Sequence, residues 1–128
     1  MRKIAASIAA LVIGVVVGLS PAAPAAAGDA SCVSGDICLY YGANLNGGVW
    51  STPLNTTNYA GQYFFNCSAS NCALNDNAAS LWNRARFYDC TLCKDSYYRG
   101  GCIDVPTSTV YDGNELGGYA NELSSHFF

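Results

Sequence analysis

A polar run, Asn75-Asp76-Asn77-Ala78-Ala79-Ser80, stands directly before Leu81 and Trp82, and a partial echo, Asn121-Glu122-Leu123-Ser124-Ser125, lies close to the end of the 128-residue chain. These side chains suit two kinds of chemistry. Asn and Asp oxygens, serine hydroxyls and exposed carbonyls are the hard donors that Ca²⁺ gathers, roughly six to eight at a time. A serine hydroxyl in a tight turn also bonds the backbone of a folded hairpin and spares it a buried unsatisfied group. On this second reading Ser80 and Ser124 are equivalent clamps.

Catalysis has a thinner basis. It needs a nucleophile beside a base, or a metal with an open position, and the only histidine is His126, in an expected terminal strand. Cys90 and Cys93 in "CTLC", with Cys102, have zinc-like spacing, but zinc requires reduced thiolates. A thioredoxin-type reading of the same pair lacks the strand-helix unit that should follow it. Nothing in the sequence pairs two of the nine acidic residues for glycoside chemistry. The chain is read as not an enzyme, with no cofactor required and at most weak Ca²⁺ binding.

Residues 1–27 read as a secretory signal peptide: Arg2 and Lys3 precede an apolar run from Ile4 to Leu19, and an Ala-x-Ala ends at Ala27. Residues 28–128 are then one small extracellular domain without a membrane segment. Of the six basic residues, removal of Arg2 and Lys3 leaves four against nine acidic, a net charge of −5. Arg84, Arg86, Lys94 and Arg99 are too few to build a phosphate-binding surface, so nucleic acid is excluded as a partner. All seven cysteines, Cys32, Cys38, Cys67, Cys72, Cys90, Cys93 and Cys102, fall in the exported part and read as disulfides. Seven is odd, so one stays free, is capped or pairs between chains; the protein is otherwise expected to be a monomer. A Cys32–Cys38 bridge would stabilise by roughly 2 kcal/mol in the chain-entropy model.

The elements that must position these groups are short strands. Helical periodicity is nearly absent after residue 27, whereas residues 37–42, 48–52, 62–65, 80–89, 101–105 and 123–128 are aromatic, β-branched or apolar runs separated by Gly, Asn and Pro. Such spacing predicts an antiparallel β-sandwich. The halves also echo one another: Tyr40, Leu45 and Gly47 recur as Tyr88, Tyr98 and Gly100, with five extra residues between the first two landmarks.

The order Tyr-x4-apolar-x-Gly, followed by (Asn/Asp)-(Asn/Asp)-x-x-(Ser/Thr)-Ser, resembles the βγ-crystallin superfamily. Asp76 to Leu81 matches with leucine in place of the last serine; in the second copy Ala120 replaces the leading residue while Asn121, Ser124 and Ser125 match. The stretch "SCVSGDICLYYG" is also similar to the start of secreted bacterial metallopeptidase inhibitors of that fold. The resemblance covers residues 31–128 and implies an all-β, disulfide-stapled, double Greek-key sandwich. It implies a calcium set of Asn77, Ser80, Asn121 and Ser124 side chains with the carbonyls of Ala78 and Glu122.

It further implies a secreted peptidase inhibitor whose partner is an extracellular metallopeptidase. Inhibition needs an exposed loop held rigidly enough that binding costs little ordering entropy. The cysteine-rich second hairpin, residues 89–102, is the expected place: Cys90 and Cys93 staple it, and Tyr97 and Tyr98 widen the contact. Thr91-Leu92 is the expected scissile bond, because thermolysin-like enzymes favour a bulky apolar residue just after the cut. Tyr59, Tyr63, Phe64 and Phe65, in the 55–77 insertion with Cys67 and Cys72, form an alternative surface or core. The competing class is a calcium-binding or purely structural extracellular module.

Overall fold

The computed structural model describes residues 28–128; the expected signal peptide lies outside the described residues. Apolar and β-branched tetrads flanked by turn residues give β1 (Ile37–Tyr40), β2 (Val49–Thr52) and β3 (Ser80–Asn83). In the second half follow β4 (Cys90–Asp95), β5 (Arg99–Val105), β6 (Val110–Tyr111) and β7 (Ser125–Phe127). Between β6 and β7 a single helical turn, α1 (Gly113–Leu116), is nucleated by a capping box of Asp112 and Glu115 and buries Leu116. The strands form an antiparallel sheet of order β2-β1-β3-β6 and another of order β5-β4-β7. Leu39, Trp50 and Leu81 from the first sheet meet Leu92, Val105 and Leu123 from the second half in one buried cluster.

The halves are interlocked. Strand β6 belongs to the second half yet pairs with β3 of the first, Trp82 opposite Val110 and Leu81 opposite Tyr111. Reciprocally, Thr56 of the first half bridges His126 of β7 through two main-chain bonds of 3.0 and 2.9 Å.

The two hairpins are the same length, which corrects the five-residue enlargement expected from Tyr88. Tyr40 lies opposite Ser80 in β1–β3, and Cys93 lies opposite Ser125 in β4–β7. Beyond them Asn44 and Leu45 take φ of 55° and 57°, Tyr97 and Tyr98 take 60° and 59°, and Gly47 and Gly100 take 79° and 78°. Cys93, not Tyr88, therefore occupies the place of Tyr40. The segment 62–65 is likewise not a strand but two isolated bridges, Tyr63 to Ala73 and Phe65 to Val49. It alternates faces: Phe64 is buried with Tyr59, while Tyr63 and Phe65 are exposed.

Candidate functional site

The polar clusters act as clamps, with a one-residue correction. The Ser80 hydroxyl donates to the Gly42 carbonyl at 2.6 Å and accepts the Leu45 N–H at 3.0 Å. In the second half the same two bonds are made by Ser125, donating to the Asp95 carbonyl at 2.6 Å and accepting from the Tyr98 N–H at 3.1 Å. Ser124 is not the equivalent of Ser80. Its hydroxyl donates to the Asp76 carboxylate at 3.0 Å. The corrected alignment pairs Asp76 with Asn121, and both have φ of 60°. They meet across a local two-fold: Asp76 N–H donates to the Leu123 carbonyl at 3.1 Å and Asn121 N–H to the Ala78 carbonyl at 2.8 Å.

These bonds engage only part of the expected calcium set. The Ser80 hydroxyl is committed twice and the Ala78 carbonyl receives Asn121, whereas the Asn77 side chain donates from its amide nitrogen to the carbonyls of Ala73 and Asn75, which leaves its oxygen uncommitted. Asn121 and Glu122 are exposed. The polar depression beside Asp76 contains Asp95 and Glu122, but Lys94 and Arg99 as well, whose charges oppose a dication. Among the described residues no three His, Cys, Asp or Glu side chains group to hold a metal ion. What the geometry does show is that the Ser80 and Ser125 hydroxyls serve as mechanical ties of their hairpins.

The expected inhibitory segment is not a loop. Cys90 to Asp95 form the central strand of the second sheet, with Leu92 opposite Ile103 on one side and His126 on the other, and Leu92 is fully buried. A peptidase reaches Thr91-Leu92 only if that sheet opens. Three bridges form, Cys32–Cys38, Cys67–Cys72 and Cys93–Cys102. Cys90 is the odd cysteine, buried and unbridged; burial, aided by the Asp104 charge, raises its thiol pKa and keeps it protonated. A thiol so placed forms neither a staple nor an interchain bridge in the folded state. Of the residues expected in the inhibitory segment only Tyr97 stands well exposed, with the Arg99 guanidinium 6.0 Å from its ring centre. Tyr98 packs edge-on against Phe127. His126 is fully buried and held neutral, its pKa pushed down to about 4 by burial.

The rigid, protruding segment is instead the β3–β4 connection, residues 84–89. Its hub is the buried Asn83 carboxamide, which donates to the carbonyls of Tyr88 (3.2 Å) and Val105 (2.9 Å) and accepts the Ala85 N–H at 3.0 Å. Arg84 exchanges main-chain bonds with Asp36 and Gly35 (2.8 and 2.9 Å), and its guanidinium donates to the Cys32 carbonyl and lies over Trp82. The Thr107 hydroxyl donates to the Ala85 carbonyl, and the Asp89 carboxylate accepts the Thr107 N–H at 3.0 Å. Between these anchors the main-chain N–H and C=O groups of Arg86 and Phe87 have no partner among the described residues. Phe87 is 81% exposed and Tyr88 63%; with Leu54 and Phe128 they line an open apolar depression.

Sequence reasoning extended β3 through this segment. The alternation itself gives no warning, because Arg84-Ala85-Arg86-Phe87 keeps a polar-apolar period; the available signal is the adjacent polar pair Asn83-Arg84, which interrupts it.

The family described as "Peptidase inhibitor family I36" matches residues 25–105. No curated protein matches the chain. Among solved structures, one described as "Evolution of the eye lens beta-gamma-crystallin domain fold" is similar at a TM-score of 0.60 and 21% identity, covering 74% of this chain and 85% of that one. A βγ-crystallin from Ciona intestinalis is similar at 0.55 and 19%, covering 72% and 96%. Spherulin 3A from Physarum polycephalum is similar at 0.52 and 22%, covering 74% and 82%. These likenesses give the βγ-crystallin fold.

Proposed function

The chain belongs to the peptidase inhibitor family I36, and on that premise we propose that it is a secreted inhibitor of extracellular metallopeptidases that blocks the substrate cleft with a preorganised loop. The observation that carries this reading is the β3–β4 loop, pinned on both flanks through Asn83, Arg84 and Thr107 while the main chain of Arg86 and Phe87 stays open. A peptidase cleft holds its substrate by main-chain pairing, and open donors and acceptors on a fixed loop, bent at Arg86 and Phe87, offer such pairing without the ordering entropy of a free peptide. The Cys32–Cys38 ring supports the same loop from behind, since Ser34 accepts the Arg86 Nε–H at 2.9 Å. Three disulfides support an oxidising, extracellular setting. Among the described residues no helix is long and apolar enough to cross a membrane.

The test is titration of residues 28–128 against a thermolysin-like zinc peptidase. Stoichiometric, saturable loss of activity is expected, and a zinc peptidase left fully active by excess protein would overturn the reading.

A further inference from the structure

Resting on the inhibitor reading, we infer that Phe87 is the anchor of the complex: it enters the apolar pocket that a zinc peptidase offers to the residue just after the cut, with the Arg86-Phe87 bond across the scissile position. The two side chains at that bond are unequally available. Phe87 projects with 81% of its surface exposed, whereas the Arg86 side chain is turned back and donates from Nε to Ser34. A serine peptidase that reads arginine just before the cut would have to pull that guanidinium off Ser34. A peptidase that reads an aromatic just after the cut finds its residue already presented.

The surroundings agree with an anchor. Tyr88 and Leu54, 63% and 51% exposed, flank Phe87 and would shield the filled pocket from water, the arrangement in which one aromatic carries most of the binding. The Asn83 carboxamide bonds both the Tyr88 and Val105 carbonyls, so the residues after Phe87 are tied to the end of β5 and cannot retreat.

The experiment compares the mature chain with Phe87→Asp and Phe87→Leu against two enzymes, a thermolysin-like zinc peptidase and a trypsin-like serine peptidase. Because Phe87 is solvent-exposed, both variants should melt with the parent, so any lost inhibition reports contact rather than folding. Inhibition of the zinc enzyme is expected to weaken at least ~30-fold on Phe87→Asp and to be largely kept by Phe87→Leu, with the serine enzyme unaffected by all three proteins. Undiminished inhibition by Phe87→Asp would overturn the anchor while leaving the inhibitor reading intact. Inhibition of the serine enzyme that is indifferent to residue 87 would overturn the side of the cut assigned here. Absence of inhibition by the parent chain would remove the premise instead.

Discussion

At the scale of single residues, His126 shows how a titratable group can serve the fold rather than a reaction. Its Nε2 lies 2.8 Å from the Leu54 carbonyl and must carry the proton, which leaves Nδ1 to accept from the Tyr59 hydroxyl at 2.7 Å. Trp50 and Phe128 meet the ring edge-on, and no carboxylate is bonded to it to stabilise a charged form. Burial therefore lowers the folded pKa to about 4 from the ordinary 6.5. As pH falls the unfolded chain takes up this proton first, so the contribution is complete above about pH 6.5 and lost on acidification to about pH 4. The loss amounts to roughly 3 kcal/mol, with no further change below that pH. Urea unfolding at pH 7, 5.5 and 4 should show that slope in the parent and not in His126→Gln. Parallel pH profiles for the two proteins would disprove the assignment.

At the scale of elements, each hairpin depends on one serine. Leu45 and Tyr98 adopt left-handed backbone that bulky side chains rarely take, and in both cases the residue's N–H is held by the clamp hydroxyl. Replacing Ser80 or Ser125 by alanine removes two bonds and leaves a carbonyl and an N–H without their partner, a loss of roughly 1–3 kcal/mol. Ser124→Ala removes one bond to an exposed carboxylate and should cost clearly less. Equal losses at 124 and 125 in chemical denaturation would reject the alignment of the two halves. The duplicated β-unit and the Ser80 clamp were legible through the order of their motifs, although Ser80 lies 38 and 35 residues from the groups it holds, and the Cys32–Cys38 bridge was legible because it rests on short-range spacing. The register of the second half was not. Two adjacent serines, Ser124 and Ser125, both satisfy the pattern, and only pairing of β7 with β4 decides which one faces the hairpin. Cysteines likewise disguised β4: Cys90 and Cys93 read as staples of a loop, yet in a half-buried strand an unbridged cysteine packs as a small apolar side chain. The protruding loop was hidden for the opposite reason, since its rigidity comes from Asn83 and Thr107, partners 5 and 22 residues from the carbonyls they hold.

At the scale of the molecule, the interlock decides what a cut in the candidate loop would do. None of the three bridges spans the Arg86-Phe87 bond: Cys32–Cys38 and Cys67–Cys72 lie before it and Cys93–Cys102 after it. Covalently the halves would be free. Yet β6 of the second half completes the first sheet, Thr56 of the first half bridges β7, and Leu39, Leu81, Leu92 and Leu123 share one buried cluster. Separation would expose that core and leave β3 without its outer neighbour, an apolar cost that opposes release of the two fragments. A protein carrying a sequence-specific cleavage site inserted between Arg86 and Phe87, then cut, should elute as a single species of unchanged size in native gel filtration. The same sample should resolve into two fragments on a denaturing gel without reductant. Dissociation under native conditions would mean that the exchanged segments contribute little, and that a loop cut during inhibition would release the enzyme.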